Sequence, residues 1–259
     1  MSRLRGHAFV IAVASAALCC SAASGAAAVE IPLPPVTGEF SGAVHPRDLP
    51  RDRLGVSIEM GGVFATVDGS PLPALREAVI DFGPDGKVDP SGLAVCQRPR
   101  LESSKDGASA AGCKQSKIGA GVATLEATPS RQLEARLAAY NGGGTATTAT
   151  IFITMDIVGL KNDPPVTVVK VRPHRNGKGI GLRTIWRVPQ LLNGGAALKD
   201  FNLKFGRAFQ SRGEQHNYLE ASCSTGQVTA SLVRAVLKDE RGTGIGDQTL
   251  AGDVFLPCN

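Results

Sequence analysis

The chain has 259 residues, with 28 Lys and Arg against 23 Asp and Glu, a net charge of +5 and 42% apolar residues. That length supplies one large β domain or two small ones, and enough apolar surface for a core. So mild a positive excess is no nucleic-acid footprint, and beyond the N-terminus no apolar run is long enough for a membrane-crossing helix.

Residues 1–28 have the three-part layout of a secretory signal peptide. Arg3 and Arg5 precede an apolar run over about residues 8–20, and small residues follow up to Ala28. Ala26-Ala27-Ala28 fits an A-x-A cleavage site, so a mature, secreted or extracytoplasmic chain is expected from about Val29. Cys19 follows Leu18 rather than a small residue, which disfavours a lipidated cysteine. Residues 29–54 carry five prolines and little periodicity, and read as a lead-in strand or tether.

Residues 55–259 are expected to form a single all-β domain. Ala149, Ile151, Ile153, Met155 and Ile157 share one face of a strand, and Thr148, Thr150, Thr154 and Asp156 share the other, with Phe152 as the apolar exception. Leu133, Ala135, Leu137 and Ala139 alternate with Glu134 and Arg136, and Phe201, Leu203 and Phe205 with Asn202 and Lys204. Leu250, Gly252, Val254 and Leu256 close the series. Asn141-Gly142-Gly143-Gly144, Asn162-Asp163-Pro164-Pro165, Asn176-Gly177 and Asn193-Gly194-Gly195 separate the runs as turns. The pattern predicts an antiparallel β-sandwich of about ten strands. A helical turn is expected only at 73–79 or 189–192, and the polar stretch 99–112 reads as a loop.

Four cysteines follow the leader: Cys96, Cys113, Cys223 and Cys258. An even number in an exported chain suggests two disulfides. Three connectivities exist, and nearness in sequence favours Cys96–Cys113 with Cys223–Cys258. No C-x-x-C or His-x-x-x-His spacing accompanies them, which argues against zinc.

Chemistry-bearing motifs are few. The stretch 81–89, DFGPDGKVD, has the outline of a calcium loop, with Asp81, Asp85 and Asp89 as candidate ligands. Its third, seventh and twelfth places are Gly83, Lys87 and Gly92, so a strand followed by a Pro84-Asp85-Gly86 turn is the better reading. The stretch 168–188 holds Arg172, His174, Arg175, Lys178, Arg183 and the lone Trp186. It is a candidate anion or glycan surface, or a hairpin with a solvated basic face. Leu182, Thr184 and Trp186 fall on one side and Arg183, Ile185 and Arg187 on the other, which points Trp186 into the core. No nucleophile elbow, zinc-protease motif, phosphate loop or dinucleotide fingerprint occurs, so no cofactor is implied. A Ser–His–acid site could draw on His216 with Ser222 or Ser224, but no spacing recommends it; His45 and His174 are the other histidines after the leader.

Several short motifs follow one another along the chain: Leu93-Ala94-Val95-Cys96, Ala111-Gly112-Cys113 with Ile118-Gly119-Ala120-Gly121, Tyr140-Asn141-Gly142, and Tyr218-Leu219-Glu220-Ala221-Ser222-Cys223 before a final strand pair. Over most of residues 55–258 this order resembles an uncharacterised family of exported, disulfide-containing β proteins from high-GC soil bacteria. The chain departs from that pattern at Leu232-Val233-Arg234-Ala235-Val236 and Glu240-Arg241-Gly242, where an aromatic-rich strand and an Asp-Gly turn are expected. The resemblance implies export and a disulfide-braced β domain, and no activity. The function expected is that of a non-catalytic binding or cell-envelope component. The alternatives are an exported hydrolase and a calcium- or glycan-binding module; with one Trp and two Tyr, the chain has few aromatics to line a glycan site.

Overall fold

The computed structural model describes residues 27–33, 36–103, 108–160, 163–176, 179–224, 227–242 and 244–257. The signal-peptide reading, Lys178 and Cys258 lie outside them. The strands are β1 (Ala27–Leu33), β2 (Val36–His45), β3 (Leu54–Gly55), β4 (Ser57–Thr66), β5 (Ala74–Phe82), β6 (Gly86–Val88), β7 (Lys117–Thr128), β8 (Arg131–Thr145), β9 (Thr148–Ile157), β10 (Val166–Asn176), β11 (Gly179–Arg187), β12 (Ala197–Phe205), β13 (Ala208–Ser211), β14 (Glu214–Asn217), β15 (Leu219–Ala221), β16 (Gln227–Lys238) and β17 (Gln248–Pro257). A short helix α1 (Arg98–Glu102) and a 3-10 segment (Ala108–Ser116) lie between β6 and β7, and a 3-10 turn (Leu192–Gly194) precedes β12.

Twelve strands form one antiparallel sheet in the order β1-β2-β4-β12-β7-β8-β9-β10-β11-β5-β16-β17. β17 lies against β1 and β2, so the two ends of the sheet meet and the sandwich is nearly closed into a barrel. Inward positions alternate along each strand, as in β9, where Ala149, Ile151, Ile153, Met155 and Ile157 are all buried. Glu134, Arg136, Asp156, Lys170 and Arg172 project outward into solvent. A lipid-embedded barrel carries an apolar band there, so this outer face belongs in water. β3, β15 and β6 make a separate three-stranded sheet, and β13 and β14 a hairpin.

Several expectations are corrected. Of the two readings of 29–54, the strand holds over residues 36–45 and the tether does not: Val36, Phe40 and Val44 are core residues of β2, a ten-residue strand. The prolines flank that strand instead of interrupting it, since a proline inside would remove a ladder donor. Residues 74–79, within the expected helical turn, lie in β5. Asn141 to Gly144 do not reverse the chain but form a bulge within β8. Gly143 and Gly144 have φ of 91° and 154°, and a Cβ on Gly144 would meet Thr148 O at 2.0 Å. The fully buried Asn141 side chain donates to Leu93 O and Ala94 O and accepts from Gly143 N–H.

The described parts of the stretch 99–112, expected as a loop, are helical: residues up to 102 in α1 and residues from 108 in the 3-10 segment. α1 begins at Arg98 with proline in its first turn, where a missing N–H costs nothing. Cys96 and Cys113 are bonded to each other. With Leu101, Tyr140 and Val166 they form a small second core, against which Ala138 and Phe152 pack. Phe152, the exception in its strand, is therefore apolar because this lobe covers the outer face there. Cys223 is also disulfide-bonded.

Candidate functional site

Protein interiors are close-packed, with few voids larger than a water molecule. This one contains cavities of about 50, 70 and 30 Å³. A void holds a water from roughly 10–15 Å³ upward, provided polar groups are there to bind it. The walls here are almost wholly apolar, so the space favours a dry occupant.

The cavities are stacked along the barrel. In β9 the first is lined by Ile151 and the second by Met155, and Ile153 faces both. In β12 Phe205 faces the first, Leu198 the second, and Leu203 both. The same direction holds in β16, from Val228 to Ala235, and in β2, from Val44 to Phe40. The third cavity shares Phe40, Met60 and Ile80 with the second, and Phe82 with the first. From Leu198 to Phe205, at about 3.3 Å per residue, the row runs roughly 20 Å. Ile58, Met60, Leu182, Trp186 and Phe201 line this interior yet stay only half-buried.

Trp186 stands at the junction of the two larger cavities. Its Nε1–H donates to Thr184 Oγ1 at 2.9 Å, and Thr184 Oγ1 donates to Ile80 O at 3.3 Å. The indole thus satisfies its one donor within its own strand and leaves its apolar rim to the void. Trp186 points inward with Leu182 and Thr184, as strand alternation predicts.

The two ends of the row differ. Beyond the first cavity, β3, β15 and β6 form a cap that closes it with the buried side chains of Val88, Leu219 and Ala221, while Lys87 and Glu220 alternate with these and face away from the cavity. Lys87 Nζ is 3.3 Å from Glu220 Oε2 and 3.4 Å from Asp89 Oδ2. Burial pushes the Asp89 carboxyl up, but hydrogen bonds from Ser91 and the Lys87 ammonium outweigh it and hold the group below the ordinary carboxylate value. Towards the other end a buried ion pair fastens the loops. Arg241 Nη1 donates to Leu72 O, Glu126 O and Glu126 Oε1 at 3.2–3.3 Å, and Leu72 N–H donates to Glu126 Oε1 at 2.8 Å.

The calcium set does not converge. Asp81 lies in β5 with both carboxylate oxygens taken by Arg183, at 2.6 and 2.7 Å. Asp85 faces Ser222 Oγ at 3.4 Å, and Asp89 accepts from Ser91 N–H at 3.0 Å. Among the described residues no group of three acidic, His or Cys side chains could hold a metal ion. The stretch 81–89 is a strand and a turn, but the chain does not fold back on β5. It leaves the barrel and pairs as β6 with β15 in the cap.

The basic stretch is the hairpin β10–β11. Arg172 and Arg175 are exposed, and Arg183 Nη2 lies 2.9 Å from His174 Nε2 while paired with Asp81. Its hydrogen bonds to Asp81, less its burial, raise the Arg183 pKa above the usual guanidinium value. Trp186 faces the barrel interior, on the side of the hairpin opposite Arg172, His174 and Arg183, so it does not share a surface with them. His216 stacks on Phe209 and His45 stands 3.5 Å from Glu59. Among the described residues no hydrogen bond joins His216 to Ser222 or Ser224. Sequence reasoning missed the cavities altogether, as well as the pairing of Glu126 with Arg241. No family model, no curated protein and no solved structure matches this chain.

Proposed function

We propose that the protein is a non-catalytic binding protein, carried outside the cytoplasm by its leader, whose barrel interior holds a small apolar molecule. The row of apolar cavities supports this reading. Natural cores close such voids, because each loses dispersion contacts and destabilises the fold in proportion to its volume. A void kept along the barrel axis is explained if an occupant restores those contacts. The outward charges keep the barrel in water, and the disulfide-bonded lobe suits an oxidising compartment.

The test is titration with N-phenyl-1-naphthylamine, an uncharged apolar fluorophore. The expected result is saturable, one-to-one enhancement with energy transfer from Trp186, abolished by Ile153→Trp at the waist between the cavities. Unsaturable or absent enhancement with folded parent protein overturns the reading.

A further inference from the structure

Resting on the binding reading above, we infer that the occupant is an alkyl chain bearing one neutral carbonyl group, a ketone or an ester, whose oxygen accepts a hydrogen bond from the Thr167 hydroxyl in the second cavity.

Thr167 lies on β10 opposite Ile153 of β9 and shares the inward alternation of Val169 and Val171. It is 9% exposed and lines the second cavity. The other buried threonines of the sheet are satisfied. Thr154 Oγ1 donates to Ala138 O, and Thr184 Oγ1 donates to Ile80 O while accepting from Trp186. Thr167 Oγ1 forms no hydrogen bond among the described residues. A buried hydroxyl without a partner destabilises the fold, and valine would fill the same position at no such cost. Water does not relieve it. A buried water needs about two to four polar partners. Of the side chains lining this cavity only Thr167 and Trp186 carry an O–H or N–H, and that of Trp186 is already given to Thr184. A ligand atom supplies the partner that the hydroxyl lacks.

Counting charges and protons selects that atom. Among the described residues no charged side chain lines the second cavity, so a ligand carboxylate or ammonium would be buried without a counter-ion. A ligand hydroxyl would bring a second proton. Whichever O–H donates to the other, one of the two finds no side-chain oxygen to accept it. A carbonyl oxygen brings no proton; it accepts from Thr167 and completes the pair. The remainder of the ligand is hydrocarbon. From Thr167 to Val171, which lines the first cavity, β10 rises roughly 13 Å. The cap closes that end with Val88, Leu219 and Ala221. The carbonyl thus stands in the cavity farther from the cap, and the alkyl tail runs past Ile153 towards it.

The test is displacement of bound N-phenyl-1-naphthylamine at pH 7 by 2-decanone, 2-decanol and decane, from the parent protein and from Thr167→Val. In the parent, 2-decanone is expected to bind about fivefold tighter than 2-decanol, which has the same skeleton. Thr167→Val should weaken 2-decanone about fivefold and leave decane within about twofold, while its own Tm without ligand stays at or above the parent's. Thr167→Ser keeps the hydroxyl and should keep the ketone's advantage. Methyl nonanoate presents an ester carbonyl: a larger loss for it than for 2-decanone in Thr167→Val assigns the ligand to the esters, and the reverse to the ketones. If 2-decanol matches 2-decanone in the parent, or if Thr167→Val weakens ketone and alkane alike, the carbonyl inference falls while binding in the barrel stands. If Thr167→Val does not fold, the order of 2-decanone and 2-decanol in the parent decides alone. If the dye binds but none of the chains displaces it, the inference also falls. If the dye itself fails to bind, the binding reading falls with it.

Discussion

Arg241→Met tests whether the far end of the barrel is held by one buried ion pair. The substitution keeps most of the side chain's apolar stem and removes the guanidinium. In the parent, that group serves Leu72 O, Glu126 O, Glu126 Oε1 and, through Nη2, Ala127 O. The side chains of Arg241 and Glu126 are 10% and 9% exposed, so water does little to screen them. Removing one partner strands a buried carboxylate whose remaining donor is Leu72 N–H. Breaking a buried pair in this way costs about 3–5 kcal/mol. For a chain of this size, 1 kcal/mol moves Tm by roughly 2–4 °C, so a drop on the order of 10 °C is expected by differential scanning calorimetry. The double variant Arg241→Met with Glu126→Gln should recover part of the loss, because the unpaired charge is gone. A single variant that melts within 2 °C of the parent (about 1 kcal/mol or less), or a double variant with strictly additive losses, refutes the reasoning.

Ala139→Leu extends a fully buried side chain into the first cavity; it should stabilise the protein by about 0.5–2 kcal/mol in urea denaturation and weaken dye binding at least tenfold. Emission from Trp186 should be blue-shifted and poorly quenched by iodide, and Trp186→Ala should cost about 3 kcal/mol, the low end for a buried Trp because a void already adjoins it. On the acid side, Tm should fall as pH drops. The hydrogen bond from Arg76 holds the Glu240 carboxyl below its ordinary value, so its contribution is full above the unfolded pKa near 4.3 and is lost as pH falls through the lower folded value. Glu240→Gln should flatten the Tm profile between about pH 5 and pH 3, which a melting series in matched buffers would read.

The strands were legible where one face is wet. In β9 the alternation of Ile and Thr gives away both the strand and its inward face, and in β11 it placed Trp186 correctly although neither face is purely apolar. β2 was obscured because five prolines in residues 29–54 mask an alternation that is plain within 36–45 itself. The bulge at Asn141 carries the same residues as a hairpin turn; only a buried partner, the carbonyls of Leu93 and Ala94, distinguishes the two. The cavities had no signature at all. A void is the volume that twelve strands together fail to fill, and no single residue encodes it. Glu126 and Arg241 were equally hidden, since the two lie far apart in sequence and each alone reads as a solvated charge.

The order of strands in the sheet has a consequence for how the molecule assembles. β12 sits between β4 and β7, β5 sits between β11 and β16, and the sheet ends meet where β17 reaches β1 and β2. Hairpins such as β7–β8–β9 can form as soon as they are made, but the wall has a vacancy until β12 arrives, and the seam waits for the last strand. Pairings between such distant segments are slow, because a large loop must close before any contact offsets it. A growing chain therefore passes through a long-lived open trough with its apolar face exposed. Under the binding reading proposed above, an occupant can be laid into that trough before the seam shuts, and a chain truncated ahead of β17 would leave the barrel without its closing strand.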